Sequence, residues 1–156
     1  FIRLKLNSLL DEEFVEALYR ASIAGVEVDL VIRGICSLMP GIPGVSENIR
    51  VRSVLGRFLE HSRIFHFANG GEDEIYIGSA DLMDRNLNRR VESLVQITRP
   101  EHKKDLIKVF DLYVSSTTSG WHLLPTGKWL KVDKAPDGSL LNDLQAVVID
   151  SYRVNP

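Results

Sequence analysis

Cysteine is almost absent from this chain of 156 residues: Cys36 is the only one, so no disulfide can form within the chain. A lone cysteine is typical of proteins from a reducing compartment. Long apolar runs are absent too, since none approaches the ~18 residues of a membrane-spanning helix, and no signal-peptide pattern is present. These features predict a cytoplasmic protein, with at most a peripheral association with the inner membrane.

The chain also lacks a large excess of positive or negative charge. The chain has 19 Lys and Arg against 21 Asp and Glu, which gives a formal net charge of −2. Without a global basic field, we predict no nucleic-acid partner, and any anion site must be local. Arginine is locally concentrated. Residues 50–63 contain four arginines against the single acid Glu60, and residues 84–90 contain three more.

The composition is otherwise that of one folded domain. Hydrophobic residues make up 44% of the chain and charged residues 26%, which is typical of a globular protein and unlike a disordered one. A chain of this length can bury a substantial core. It begins without Met, at Phe1, inside an apolar strand-like segment. We therefore expect residues 1–156 to be a single domain from a longer protein.

The order of the apolar patterns predicts an α/β domain. Residues 2–6 alternate as a strand does, Asp11 can cap a helix that runs to Ala24, and residues 26–33 predict a buried strand. This strand–helix–strand unit implies a parallel pair with a right-handed crossover. Further strands are predicted at 62–67, 73–79 and 90–97, and helices at 101–114 and 139–153. We expect a mixed β-sheet flanked by helices.

Arg33 stands where the second predicted strand ends, before a loop rich in Gly and Pro that spans residues 34–48. Ligands of open α/β sheets bind at the carboxyl ends of strands. A guanidinium offers a planar fork to phosphate oxygens. We interpret Arg33 as a phosphate ligand. The alternative is an arginine that forms a surface salt bridge at the end of its strand.

His61 immediately precedes a predicted strand, which places it at the rim of the sheet. There an imidazole can act as acid, base or nucleophile near neutral pH. The alternative is a structural or merely exposed histidine. Strand alternation puts Arg63 on the same face. Ser79 follows the next strand, and its hydroxyl and the neighbouring backbone N–H groups are suited to an oxyanion.

Glu92 is the one carboxylate in a segment that is otherwise apolar. A half-buried carboxylate needs a partner, and an imidazole N–H is a suitable one. The alternative is a salt bridge to Arg89 or Arg90. Asp81 and Asp84 belong to no compact set of oxygen ligands, so we predict no metal site in this chain.

The distinctive segments of the sequence are KLNSLLD, the segment from VIRGICSLMPGIPG to FLEHSRIFHF, IGSADLMDRNLNRRVE, SGWHLLPTGKWLKV and DLQAVV. Together they resemble the last catalytic domain of the long-form polyphosphate kinases, a family similar in fold to phospholipase D, and the resemblance runs from Ile2 to Val148. The phospholipase D signature is H-x-K followed by G-S-x-N. Here HSR and GSAD stand in its place, with Arg63 and Asp81 at the differing positions. These departures argue against ordinary phosphodiesterase chemistry.

The resemblance implies reversible transfer of the terminal phosphoryl group of ATP to inorganic polyphosphate, through a phosphohistidine in a preceding domain. His61 matches the family's second histidine, and Arg33 matches its phosphate-binding arginine. Mg²⁺ is implied, with its ligands mainly in the preceding domain. ATP or ADP, polyphosphate and the preceding domains are the implied partners. The full-length enzyme is expected to be a homo-oligomer, and the isolated fragment to be inactive.

Roles follow for the remaining candidates. We expect Arg33 to hold nucleotide or polyphosphate oxygens and His61 to face the phosphohistidine across a cleft. Lys5 and Asn7, on one face of the first strand, are predicted to line the same rim. Phosphate contacts are also predicted for Arg63 and Ser79, while Glu92 is predicted to orient His61. Two other hypotheses stay open: a phosphodiesterase of the phospholipase D kind that pairs two such domains, and a non-catalytic module that binds polyphosphate.

Overall fold

The computed structural model describes residues 1–153. Its strands are β1 (Ile2–Leu6), β2 (Val28–Ile32), β3 (Ile49–Ser53), β4 (Arg63–Phe67), β5 (Glu74–Gly78), β6 (Leu94–Ile97), β7 (Gly120–Leu123) and β8 (Trp129–Val132). Its helices are α1 (Glu12–Ile23), α2 (Asp84–Asn88), α3 (Pro100–Val114) and α4 (Leu144–Arg153). The strands form one mixed sheet in the order β6-β5-β4-β1-β2-β3-β7-β8. None of the helices in these residues is long and apolar enough to cross a membrane.

The β1–α1–β2 unit forms as its sequence predicts. The Asp11 side chain accepts a hydrogen bond from the backbone N–H of Phe14 at 3.0 Å and caps α1. The helix ends before Gly25, whose φ of +85° favours glycine. β1 and β2 pair in parallel, and β3 extends the parallel pairing from β2. β4 pairs antiparallel with β1, and β5 with β4.

Two apolar clusters hold the helices on opposite faces of the sheet. On one face, Leu4 and Leu30 pack with Leu18 of α1. On the other, Val31 and Ile64 belong to a cluster completed by α3 and α4, whose buried members are Phe110, Tyr113 and Leu144. Strand alternation separates these two sets of side chains. The expected mixed sheet flanked by helices is therefore confirmed.

Three features differ from the sequence-based expectation: the starts of two elements and the presence of one helix. The strand predicted at 90–97 begins only at Leu94, and the helix predicted from 139 begins at Leu144. The reason for the second difference is Asp143, whose side chain accepts the backbone N–H of Ala146 at 3.0 Å and starts the helix there. The five-residue helix α2 was not predicted. Residues 120–132 form a hairpin that joins the sheet through β3 and β7.

The topology brings four chain segments to one rim of the sheet. The parallel strands β1 and β2 end there, which places Asn7 and Arg33 side by side. β4 runs the opposite way, so it starts at this rim just after His61, and β5 ends at it just before Ser79. Gly34 permits the close approach of the first two segments. A Cβ at this position would lie only 2.7 Å from the carbonyl oxygen of Asn7.

Candidate functional site

Asn7 is the centre of a polar cluster at this rim. Its Oδ1 accepts a hydrogen bond from Nε of Arg33 at 2.6 Å and lies 3.3 Å from Nδ1 of His61. The same Nδ1 lies 3.4 Å from a terminal guanidinium nitrogen of Arg33, Nη2. The structure thus brings together Arg33 and His61, as the sequence predicted. Asn7 itself is only 6% exposed and its amide is occupied, so it supports the rim from below and does not line it.

The outward-facing groups of the cluster belong to Arg33 and His61. Arg33 is half-buried and His61 is exposed. Within residues 1–153, no hydrogen bond engages Nη1 of Arg33 or Nε2 of His61. Both groups are therefore available to a bound anion. The alternative of a salt bridge at Arg33 is not what the structure shows, because its contacts are to an amide and an imidazole.

The contacts of Nδ1 of His61 decide which of the two ring nitrogens carries the proton. Oδ1 of Asn7 can only accept a hydrogen bond, whereas the guanidinium of Arg33 can only donate one. If Nδ1 carries the proton, it donates to Asn7 and leaves a lone pair on Nε2. If Nδ1 accepts from Arg33, the proton is on Nε2 instead. The distances of 3.3 and 3.4 Å favour neither state strongly, so Nε2 can serve as acceptor or donor.

Arg63 and Asp81, the two positions that depart from the phospholipase D signature, contact each other. Nη2 and Nε of Arg63 lie 2.9 and 3.4 Å from the two oxygens of Asp81, and Nη1 donates to the carbonyl of His61 at 2.9 Å. Both side chains are largely buried. Burial alone would raise the pKa of Asp81, but the Arg63 guanidinium and the N–H groups of Asn7 and Ser8 lower it. These contacts occupy the guanidinium of Arg63, so Arg63 is not free to bind phosphate as the sequence predicted.

Lys5 does not lie at the rim, and that prediction is wrong. The side chain is 1% exposed. Its ammonium lies 3.2 Å from a carboxylate oxygen of Glu60 and 3.2 Å from the carbonyl oxygen of Ser62. Burial lowers the pKa of Lys5, and the neighbouring Glu60 carboxylate opposes this shift. Alternation correctly gave the face of the strand, but α3 and α4 cover that face.

Glu60 fixes the loop that carries His61. Besides Lys5, it accepts hydrogen bonds from the hydroxyl of Tyr113 and from Nε2 of Gln145, the latter at 2.7 Å. Gln145 also clamps the backbone of Phe58, accepting its N–H at 2.9 Å and donating to its carbonyl at 2.8 Å. The sequence analysis did not single out Gln145. The sequence feature that could have identified Gln145 is its position as a polar residue on the buried side of an apolar helix, within the motif DLQAVV.

The Glu60 network predicts a pH-dependent stability. Burial alone would raise the pKa of Glu60, but Tyr113, Gln145 and Lys5 lower it below its ordinary value of 4.5. The unfolded state then binds the proton more tightly than the folded state. The free energy of unfolding should therefore decrease as the pH is lowered from about 4.5 through the folded pKa. Denaturant titrations between pH 3 and pH 6 measure this slope.

A matched pair of variants isolates this contribution. Glu60→Gln should flatten the slope and cost about 3–5 kcal/mol at neutral pH, because it leaves the Lys5 ammonium buried without its counter-charge. Glu16→Gln, on the exposed face of α1, should leave both the slope and the stability near those of the unsubstituted chain. Equal slopes in the two variants would show that Glu60 is not responsible.

Ser79 and Glu92 form a second cluster beside the first. The hydroxyl of Ser79 donates to Glu92 and accepts the N–H of Ser93 at 3.0 Å. Glu92 also accepts from Nδ2 of Asn86 at 2.6 Å, and Arg90 lies 4.0 Å away. The prediction that Glu92 orients His61 is wrong in this structure. Glu92 precedes β6 instead of lying in it, and its hydrogen-bond donors are Ser79 and Asn86 of the unpredicted helix α2.

Among the described residues, the carboxylates and histidines of the site do not form a metal centre. Across residues 1–153 there is no group of three or more His, Cys, Asp or Glu side chains arranged to hold a metal ion. The carboxylates near the cluster are already engaged, Asp81 with Arg63 and Glu92 with Ser79 and Asn86. These donors therefore do not fit a resident Mg²⁺ ion.

Comparison with known proteins gives consistent matches over nearly the whole chain. The family model described as "Polyphosphate kinase C-terminal domain 2" matches residues 1–142. The polyphosphate kinase of Streptomyces coelicolor is 55% identical over 152 residues, which cover 97% of this chain and 20% of that protein. The chain thus spans about a fifth of the length of the curated relatives it matches.

Solved structures agree on the fold. The crystal structure of polyphosphate kinase from Porphyromonas gingivalis superposes with a TM-score of 0.90 at 35% identity, over 98% of this chain and 23% of that one. Nuc from Salmonella typhimurium, a phospholipase D family member, superposes with a TM-score of 0.54 at 18% identity, over 72% and 76% of the two chains. At that identity the second match shows the phospholipase D-like fold alone.

Proposed function

This chain belongs to the family of polyphosphate kinase C-terminal domains, and from that premise we propose that it is the C-terminal catalytic domain of a longer polyphosphate kinase. The proposed reaction is the reversible transfer of the terminal phosphoryl group of ATP to inorganic polyphosphate, through a phosphohistidine on a preceding domain. One observation carries the proposal for this domain. Arg33 and His61 converge at one rim with Nη1 and Nε2 free within residues 1–153.

The chemistry of this pair suits phosphoryl transfer, which is catalysed mainly by positioning and by stabilising charge on the phosphoryl oxygens. Arg33 would hold the oxygens of the nucleotide or of polyphosphate through the outer part of its guanidinium. His61 would face the phosphohistidine of the preceding domain and donate or accept a proton at Nε2. Ser79 is exposed at the end of β5, but its hydroxyl donates to Glu92 and its backbone N–H donates to the carbonyl of Ser93, so the predicted phosphate contact of Ser79 is not part of this proposal.

The remaining parts of the proposal concern the longer protein. We assign the phosphorylated histidine and the Mg²⁺ ligands to the preceding domains. ATP or ADP and polyphosphate are the proposed substrates, with Mg²⁺ supplying charge neutralisation when bound. A homo-oligomeric, cytoplasmic enzyme, peripheral to the inner membrane at most, completes the proposal. The isolated domain is expected to be inactive because it holds one side of the site.

Two activity assays and a polyphosphate-binding measurement on the full-length protein separate the three hypotheses. The first measures ATP formation from ADP and polyphosphate, and the second measures hydrolysis of bis(p-nitrophenyl) phosphate. ATP formation without diester hydrolysis is the expected result. Diester hydrolysis without ATP formation would instead support a phosphodiesterase. Salt-sensitive polyphosphate binding with neither activity would support a binding module. The pairing of Arg63 with Asp81 already argues against the phosphodiesterase, because no free cation stands at the signature lysine position.

A further inference from the structure

The Asp81 carboxylate is the most heavily engaged acceptor beneath the rim. Its Oδ1 accepts the backbone N–H groups of Asn7 and Ser8 at 2.6 and 3.2 Å. Its Oδ2 accepts Nδ2 of Asn7 at 3.2 Å and a guanidinium nitrogen of Arg63 at 2.9 Å. Only an ionised carboxylate offers this many acceptor sites in one plane. An asparagine at this position would have one acceptor oxygen and would present two new donors.

This arrangement determines which way the Asn7 amide points. Because Asp81 takes Nδ2, Oδ1 of Asn7 must face Arg33 and His61. The opposite orientation would set the amide NH₂ against Nε of Arg33, where both groups are donors. Asn7 is nearly buried, so water cannot readily substitute for the lost contact. The Asp81 carboxylate therefore affects Arg33 and His61 indirectly, through the side chain of Asn7.

We infer that Asp81 is a positioning residue of the phosphoryl-transfer site, which holds Arg33 and His61 in register through the side chain of Asn7, with Arg63 as its counter-charge. The inference rests on the proposed function and adds a residue to it. It also gives the two departures from the phospholipase D signature a common purpose. Arg63 stands at the position of the signature lysine, and Asp81 stands at the position of the signature asparagine. Because these two charges neutralise each other, the cation that contacts the ligand is Arg33.

The test uses the full-length enzyme and steady-state ATP formation from ADP and polyphosphate. Asp81→Asn should lower kcat by about 10–100-fold, the usual effect of removing an outer partner of a site residue, with a much smaller change in KM. Asn7→Ala should lower kcat by a similar factor. The double variant should be close to Asn7→Ala alone, because Asp81 acts through Asn7. Asp84→Asn, an exposed aspartate on α2, is the matched control and should retain wild-type kcat.

The kcat of each variant is corrected for the folded fraction, which thermal unfolding measures. If Asp81→Asn does not fold, the test rests on Asn7→Ala. A wild-type kcat in folded Asn7→Ala would then overturn the inference. Two other results would also overturn it: wild-type kcat in folded Asp81→Asn, or effects of the two substitutions that multiply. In these cases wild-type ATP formation still leaves the proposed function intact. A full-length wild-type protein that forms no ATP would overturn both.

Discussion

Replacing Arg33 by alanine is expected to lower kcat/KM for ATP formation by about 10²–10³-fold in the full-length enzyme, the usual cost of removing one group that stabilises transition-state charge. The physical reason is the position of its guanidinium. Nε is held by Asn7 at 2.6 Å, which aims the outer nitrogens at the open side of the rim. Steady-state kinetics with varied polyphosphate and ADP concentrations measure the effect.

Two further variants define what Arg33 contributes. Arg33→Lys keeps the charge but loses the planar fork and the bond to Asn7, so it should recover only part of the activity. Arg20→Ala removes an exposed arginine of α1 and should leave kcat/KM unchanged. If Arg33→Ala retained near-normal kcat/KM while folded, the phosphate-binding role of Arg33 would be rejected.

Replacing His61 by alanine is expected to lower kcat by about 10²–10⁴-fold, the range for loss of a general acid or base. The side chain is exposed, so the melting temperature of the protein should change little. His61→Gln retains a hydrogen-bond donor but cannot transfer a proton. Substantial activity in this variant would identify His61 as a donor, whereas a loss equal to that of His61→Ala would identify proton transfer.

His102→Ala provides the control for this prediction, because His102 is an exposed histidine on α3. It should show wild-type kcat and KM. Near-normal turnover of folded His61→Ala would contradict a catalytic role for His61. The free Nε2 would then contribute at most to binding of the polyphosphate chain, which a change in KM alone would indicate.

The sequence predicted most of the fold because its signals are local. The alternation of apolar and polar residues predicted β1, while Asp11 and Gly25 marked the start and the end of α1. The strand–turn–strand pattern of residues 62–79 gave β4 and β5. The convergence of Arg33 and His61 followed from a rule about strand ends and from the resemblance to a family. The start of α4 was misplaced because Asp143 and Ser139 are equally plausible caps by composition, and only the fold selects between them.

The site was predicted less completely because its partners come from distant parts of the chain. Alternation put Lys5 on the correct face, but local sequence cannot show that α3 and α4 cover that face. Gln145 contacts Phe58 across 87 positions, which no local pattern predicts. Glu92 was misassigned because it was expected inside a strand, whereas β6 begins two residues later, at Leu94, and Glu92 lies in the irregular segment before it.

One long-range contact was available from the sequence and was overlooked. Arg63 and Asp81 are the two departures from the phospholipase D signature, and their charges are opposite. Complementary changes at two positions of one motif indicate contact, and the structure confirms it with an ion pair at 2.9 Å. The same observation explains why Arg63, although it is close to His61 in sequence, is not free to meet a ligand.

The central claim is that Arg33 and His61 act together on one transferring phosphoryl group, and a double-mutant cycle tests it most directly. The kcat/KM for ATP formation is measured for full-length wild type, Arg33→Ala, His61→Ala and the double variant. If the two residues act as a unit, each single substitution should be severe and the double variant only slightly worse than the more severe single variant. Losses that multiply in the double variant would show that the residues act independently and would contradict the claim.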